Sequence, residues 1–344
     1  MPTSRYRSVS TRALHAMVLI GVCGTLAHAH PSSEHARQTE LAGPAEQGPE
    51  QQGRRGRSME VVDLPEPLVS ITIEGEHRVI TANGLPEHNT GAFPNAHNPN
   101  AMRSMTHHYR IPLNPKIASE RTKAGPEFGI ALNGVVFDAG TGEFWTQSGR
   151  RGRSSWNYDP AAESNQSRFG LDDNSAHVQP TGKYHYHGTP TGLIDRLTDA
   201  NAPERMTLIG WAFDGFPIYA AFGYADPSDA GSELVELSSS YRLKSGPRPE
   251  APRGPGGDHD GTFAADFEFV EGSGDLDESN GRVGVTPEFP DGTYYYVITD
   301  EFPSVPRFWV GTPDTSIRAS SAQRPDQSQR QRRPMRRFDD SRKP

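Results

Sequence analysis

The chain has 344 residues, with 35 glycines, 30 prolines, one cysteine and a formal net charge of −8. Glycine and proline at this density favour frequent turns over long helices, and a single cysteine excludes a disulfide framework. The acidic balance argues against a nucleic-acid partner and for cations or a solubilising surface.

Arg5, Arg7 and Arg12, the apolar stretch Ala13 to Leu26 and the sequence Ala27-His28-Ala29 follow the order of a secretory signal: basic region, apolar region, small-residue cleavage site. The apolar stretch is too short to span a bilayer. Residues 1–29 are therefore read as an export signal, placing the mature protein in the secreted, periplasmic or cell-envelope compartment, with no membrane span. Cys23 lies inside this signal, so thiolate zinc sites are excluded as well. Removing residues 1–29, with three basic and no acidic residues, takes the net charge from −8 to −11. Residues 30–60, rich in Glu, Gln, Gly, Pro and Arg, are expected to form a disordered linker.

Strands are predicted at Val69 to Ile73, Arg78 to Thr81, His107 to Pro112, Phe128 to Phe137 and Tyr184 to His187. Further strands are predicted at Met206 to Phe213, Thr262 to Val270, Thr293 to Thr299 and Arg307 to Val310, nearly all bounded by Gly, Pro, Asn or Asp. No amphipathic helical pattern of useful length separates them. The expectation is an all-β or β-dominated fold with long loops, sandwich- or barrel-like, in one domain over 61–313. Residues 314–344 are expected to be a disordered basic tail: Arg318 to Pro344 holds nine basic and three acidic residues, a local +6, which leaves the body near −17.

Two patterns recur in the same order within the body. Gly129-Ile-Ala131-Leu-Asn133-Gly134-Val-Val-Phe137 is echoed by Gly210-Trp-Ala212-Phe-Asp214-Gly215-Phe-Pro-Ile218. Leu171-Asp172-Asp173, His177-Val178 and Pro180-x-Gly182-x-Tyr184-x-Tyr186 are echoed by Leu276-Asp277-Glu278, Arg282-Val283 and Pro290-x-Gly292-x-Tyr294-x-Tyr296. Self-similarity in fixed order points to a pseudo-twofold internal duplication, with repeats at about 128–190 and 209–300.

Aligning the repeats puts His177, His185 and His187 opposite Arg282, Tyr295 and Val297, while the surrounding Tyr, Gly, Pro and Leu-Asp positions persist. Three imidazoles lost together in one copy read as one site in the other. In Tyr184-His185-Tyr186-His187 a strand sends the tyrosines to one face and the histidines to the other. The three histidines are therefore candidate ligands of one transition metal, with Zn, Cu(II) or Fe suited to imidazole and carboxylate donors. Protonation of ordinary histidines would compete with the ion near pH 6.5. For a fourth ligand the candidates are Asp214, the charged counterpart of Asn133, and His88, in a loop between Pro86 and Asn89. Calcium is a separate possibility at Asp275 and Asp277, where the segment is rich in oxygen donors. His97, His107-His108 and His259 are expected in surface loops.

Taken together, Gly84-Leu85-Pro86-Glu87-His88, Ala131-Leu-Asn-Gly134, Gly182 to His187, Trp211 to Tyr219, Leu276-Asp277-Glu278, Asn280-Gly281 and Tyr294 to Tyr296 with Thr299 resemble the YHYH-domain family over about Asn83 to Thr312. The resemblance implies a domain and a residue set but no particular reaction. Relatives often carry cysteines near the Leu-Asp-Glu segment and a second histidine-bearing Tyr motif; here Ser279 and Tyr295 stand there, which argues against a second metal site. The absence of a nucleotide loop, a Gly-x-Ser-x-Gly elbow and a His-Glu-x-x-His motif removes the common enzyme signatures. The expected function is metal binding. The alternatives are a metal-dependent hydrolase or oxidoreductase, and a noncatalytic module for a small-molecule or surface ligand.

Overall fold

A computed structural model describes residues 63–150, 152–198, 205–314 and Ile317. The expected export signal, the whole 30–60 linker, and the tail apart from Asp314 and Ile317 lie outside these residues. Ile317, beyond the expected end of the body, is buried in the core. No helix among the described residues is long and apolar enough to cross a membrane.

The protein is β-dominated, as the turn-rich sequence predicts. Its first sheet joins β1 (Val69–Glu74), β2 (His77–Ala82) and β3 (His107–Pro112) as an antiparallel meander. Its central sheet has eight strands: β5 (Glu127–Ala131), β6 (Val136–Asp138), β7 (Ala176–Val178), β8 (Tyr184–Tyr186), β9 (Leu208–Ala212), β10 (Pro217–Tyr219), β15 (Gly281–Gly284) and β16 (Thr293–Val297). Three two-stranded ribbons complete the set: β4 (Thr122–Lys123) with β17 (Phe308–Trp309), β11 (Phe222–Tyr224) with β12 (Leu234–Glu236), and β13 (Tyr241–Leu243) with β14 (Phe267–Phe269). Helices α1 (Glu163–Phe169) and α2 (Thr191–Leu197) have seven residues each, too short to show a helical period in the sequence.

The central sheet runs β15-β16-β10-β9-β5-β6-β8-β7. It is open at β15 and β7, so the barrel alternative is corrected: the sheet does not close. The first sheet packs on it instead, with Tyr109 stacked on Phe213 at 4.7 Å and Arg78 over the Trp211 ring at 3.3 Å. The segment predicted as one strand over Phe128 to Phe137 is two strands joined by a tight turn at Asn133-Gly134. Gly134 has φ +82° and Gly215, at the matching turn, φ +103°, a conformation that side chains with a Cβ disfavour. The predicted Thr262 to Val270 strand is likewise broken, by a 3-10 turn at Ala264–Asp266.

The sheet reads the same from its centre outwards. β5 and β9 pair antiparallel about Ile130↔Trp211. On either side come an antiparallel, a parallel and an antiparallel pairing: β5-β6, β6-β8, β8-β7 in one half, and β9-β10, β10-β16, β16-β15 in the other. Registers match too, with Phe137↔Tyr186 answered by Ile218↔Tyr296 and His177↔His185 by Arg282↔Tyr295. Both hairpins break register at the same step, between the pairs 127↔138 and 129↔137 and between 208↔219 and 210↔218. Ser175 and Asn280, which share a place in the two patterns, are the only non-glycine residues with positive φ among those described.

The tyrosine face of the sheet belongs to the larger core, which includes Ile80, Tyr109, Phe128, Ile130, Phe137, Tyr184, Tyr186, Tyr294 and Tyr296. On the opposite face the second half is filled by Met206, Tyr219, Leu237, Leu276, Tyr295 and Val297. At the matching place in the first half stand Asp138, His185 and His187, all buried.

Candidate metal centre

Strand geometry assembles the three histidines. His177 and His185 are direct cross-strand partners in the β7-β8 pair, and His187 lies two residues beyond His185, on the same face. The backbone N–H of His187 donates to the Ser175 carbonyl at 2.8 Å, which extends the strand direction past Tyr186. The ring centroids lie 4.6–4.9 Å apart. His187 Nε2 is 2.9 Å from His185 Nε2 and 3.2 Å from His177 Nε2, and the candidate ligand atoms of all three lie within 4.8 Å of one another. A tetrahedral ion about 2.0–2.1 Å from its nitrogen ligands spaces them roughly 3.3 Å apart.

The second ring nitrogens fix the tautomers. Nδ1 of His177 faces the Phe169 carbonyl at 2.8 Å, Nδ1 of His185 the Lys183 carbonyl at 3.2 Å, and Nδ1 of His187 the Asp138 carbonyl at 3.1 Å. A carbonyl only accepts, so in each neutral ring Nδ1 carries the proton and Nε2 presents a bare lone pair. Three lone pairs therefore meet with no proton to share among them. Lone pairs in contact repel, and a cation at their meeting point removes the repulsion. Backbone acceptors on the distal nitrogens are also the usual support of ligating histidines.

Burial keeps these rings neutral. His185 and His187 are held well below the ordinary histidine value, first by burial and then by neighbouring imidazoles, and His177 is lowered by burial. Proton competition with an ion therefore moves to more acid solution than the pH 6.5 expected for ordinary histidines.

The geometry does not bring Asp214 or His88 to this cluster. Asp214 sits in the second hairpin on the tyrosine face, where its Oδ2 accepts from the Tyr296 hydroxyl at 2.6 Å and from Gly311 N–H at 2.8 Å. His88 stacks on Tyr186 at 5.9 Å and takes the Tyr186 hydroxyl on Nε2 at 2.6 Å, beside a cavity of about 400 Å³ lined in part by Pro65, Leu85 and Phe93. Nor do Asp275 and Asp277 gather as calcium ligands. Asp275 Oδ2 accepts from the Ser238 N–H and hydroxyl, and Asp277 Oδ1 from Ser279 N–H, Gly281 N–H and Tyr294. Asp172, the matching residue in the first half, accepts from Asn174, Ala176 and Tyr184. These carboxylates tie turns to strands. The His177, His185 and His187 group is the one set of three potential ligands found among the described residues.

One residue at this place was not anticipated. Asp138, the last residue of β6, is 4 % exposed, and its Oδ2 lies 4.0 Å from His185 Nε2. The signal was present one step beyond the first repeated pattern, where Phe137-Asp138 faces Ile218-Tyr219. Burial, opposed by Lys183, pushes the Asp138 carboxyl up to about 7. His107 falls in β3 as the predicted strand has it, but it is buried rather than at the surface and stacks on Tyr109 at 5.7 Å.

The sequence model of the YHYH protein family matches residues 108–311, more than half of the chain. The chain belongs to the YHYH family. Neither a curated protein nor a solved structure matches it. The YHYH match spans the whole central sheet, and the tetrapeptide Tyr184-His185-Tyr186-His187 supplies both of its faces: two tyrosines to the core and two histidines to the cluster.

Proposed function

We propose that this YHYH protein binds one transition metal ion through Nε2 of His177, His185 and His187, outside the cytoplasm. The observation that carries the reading is the convergence of three Nε2 atoms whose partner ring nitrogens all face backbone carbonyls. Donor chemistry favours Zn, Cu(II) or Fe. The two halves are read as copies of one unit, of which the first keeps the ligands and the second has filled their place with Arg282, Tyr295 and Val297. There Arg282 Nε donates to the Tyr295 hydroxyl at 2.6 Å, and Tyr219 packs edge-on to Tyr295 at 5.4 Å. Elemental analysis of the protein isolated from its native host tests the reading: close to one equivalent of Zn, Cu or Fe per chain is expected. A metal-free protein that also takes up none of these ions on dialysis would defeat it.

A further inference from the structure

Building on that metal reading, we propose that Asp138 is the fourth protein ligand of the same ion, making the donor set three imidazole nitrogens and one carboxylate oxygen.

Distance is the first argument. Asp138 Oδ2 stands 4.0 Å from His185 Nε2, and the Asp138 backbone carbonyl already accepts from His187 Nδ1 at 3.1 Å. Neighbouring ligands of a tetrahedral ion are roughly 3.3 Å apart, so Oδ2 has to close by about 0.7 Å on His185 Nε2; it stands outside the histidine group whose ligand atoms lie within 4.8 Å of one another, and ligation turns the carboxylate further towards that group. The register break in β5 beside Asp138 is the kind of irregularity that re-aims a strand-end side chain.

Charge is the second. A divalent ion among imidazoles that are 1 % and 3 % exposed needs a counter-charge, because burying an unbalanced ion is costly. The carboxylate has the complementary need. Its oxygens accept only at long distances, Oδ1 from Gly140 N–H at 3.2 Å and Oδ2 from Gln179 Nε2 at 3.3 Å. The nearby cations are committed elsewhere: Lys183 pairs with Glu127, and Arg307 pairs with Asp159 at 2.9 Å. One ion between the imidazoles and Asp138 satisfies both.

The third argument comes from the other half of the sheet. Asp138 pairs with Glu127 as Tyr219 pairs with Leu208, so Tyr219 is its counterpart. The carboxylate is lost at the same place as the three imidazoles, and Tyr219 joins Tyr295 and Val297 in the apolar cluster there. Four differences fall on one spot of an otherwise matching framework.

Cobalt(II) titration of the full-length wild type and of Asp138→Asn, followed by visible absorption and by competition with a chelator, tests the assignment. The amide is isosteric and uncharged, so the metal-free variant should fold with thermal stability at or above that of wild type. Its cobalt affinity should fall by about 10-fold or more, with a changed absorption band from the altered oxygen donor. Unchanged affinity and absorption would overturn Asp138 as a ligand while leaving the histidine site standing. A wild type that binds no cobalt would overturn both. Should the variant not fold, a crystal structure of cobalt-loaded wild type decides: an Asp138 oxygen about 2.0–2.2 Å from the ion supports the proposal, and one beyond about 3 Å overturns it.

Discussion

Asn133 and Asp214 occupy the same point of two matching hairpins and bond to matching tyrosines. Asn133 Nδ2 donates to the Tyr186 hydroxyl at 2.9 Å, whereas Asp214 Oδ2 accepts from the Tyr296 hydroxyl at 2.6 Å. The polarity of the bond is reversed because Asp214 Oδ2 also receives Gly311 N–H, while the Tyr296 hydroxyl accepts Val310 N–H at 2.7 Å. The charge at residue 214 thus answers two donors.

Asp214→Asn should therefore lower stability without touching metal binding. An amide with its oxygen at the Oδ2 position still accepts from both donors but turns its NH2 towards the Phe216 N–H that Oδ1 accepts at 3.4 Å, and a stranded buried group costs about 1–3 kcal/mol. Urea unfolding should show a loss of that size, and zinc titration should give wild-type stoichiometry. Loss of stoichiometric zinc in a folded variant would return Asp214 to the ligand set.

Tyr186→Phe tests the other side of the same strand. The Tyr186 hydroxyl accepts from Asn133 and meets His88 Nε2, whose partner nitrogen faces the Asn89 carbonyl at 2.9 Å. Removing it leaves two groups without a partner while preserving ring packing against Phe137 at 5.5 Å. A stability loss of about 1–3 kcal/mol is expected, against about 3–5 kcal/mol for Tyr186→Ala, which also opens the core. Both variants, where folded, should retain metal, since the hydroxyl and the histidines lie on opposite faces of β8.

Acid should weaken the fold through His107. Burial, with help from Lys183 and opposed by Glu127, lowers His107 to about 4. The unfolded chain takes up this proton near 6.5 and the folded chain only near 4, so the unfolded state binds more protons in between. Stability from this group is full above pH 6.5 and declines as the pH falls towards 4. His107→Leu removes the titration, so comparing unfolding at pH 7 and pH 4.5 should shift the difference between the two proteins by about 2–3 kcal/mol in favour of the variant. An unchanged difference would show that His107 titrates normally in the folded protein.

The sequence carried the strands at Val69, Arg78, His107 and Thr293 because alternation and flanking turns mark them clearly. Asn133-Gly134 and Asp214-Gly215 are turn pairs in the sequence, and each falls between two paired strands, β5-β6 and β9-β10. Strands β7 and β10, of three residues each, are too short to show an alternation. Asn133-Gly134 is a hairpin signal inside the apolar run that reads as one strand over Phe128 to Phe137. The clustering of the three histidines was legible as a joint difference between the two recurring patterns. The place of Asp214 was not, because one of its donors, Gly311, lies 97 residues away and becomes a neighbour only through the fold. Asp138 lies one residue beyond the recurring pattern, where the two halves no longer match.

Zinc titration against a competing chelator, run on wild type and on His187→Val, tests the central claim most directly. The variant gives the first half the valine that the second half carries at residue 297, and its folding can be checked by circular dichroism. Wild type should bind one equivalent of zinc per chain, and the folded variant should lose stoichiometric binding. Two equivalents in wild type, none at all, or one equivalent held equally tightly by the folded His187→Val protein would contradict a single site built on the histidines of the first half.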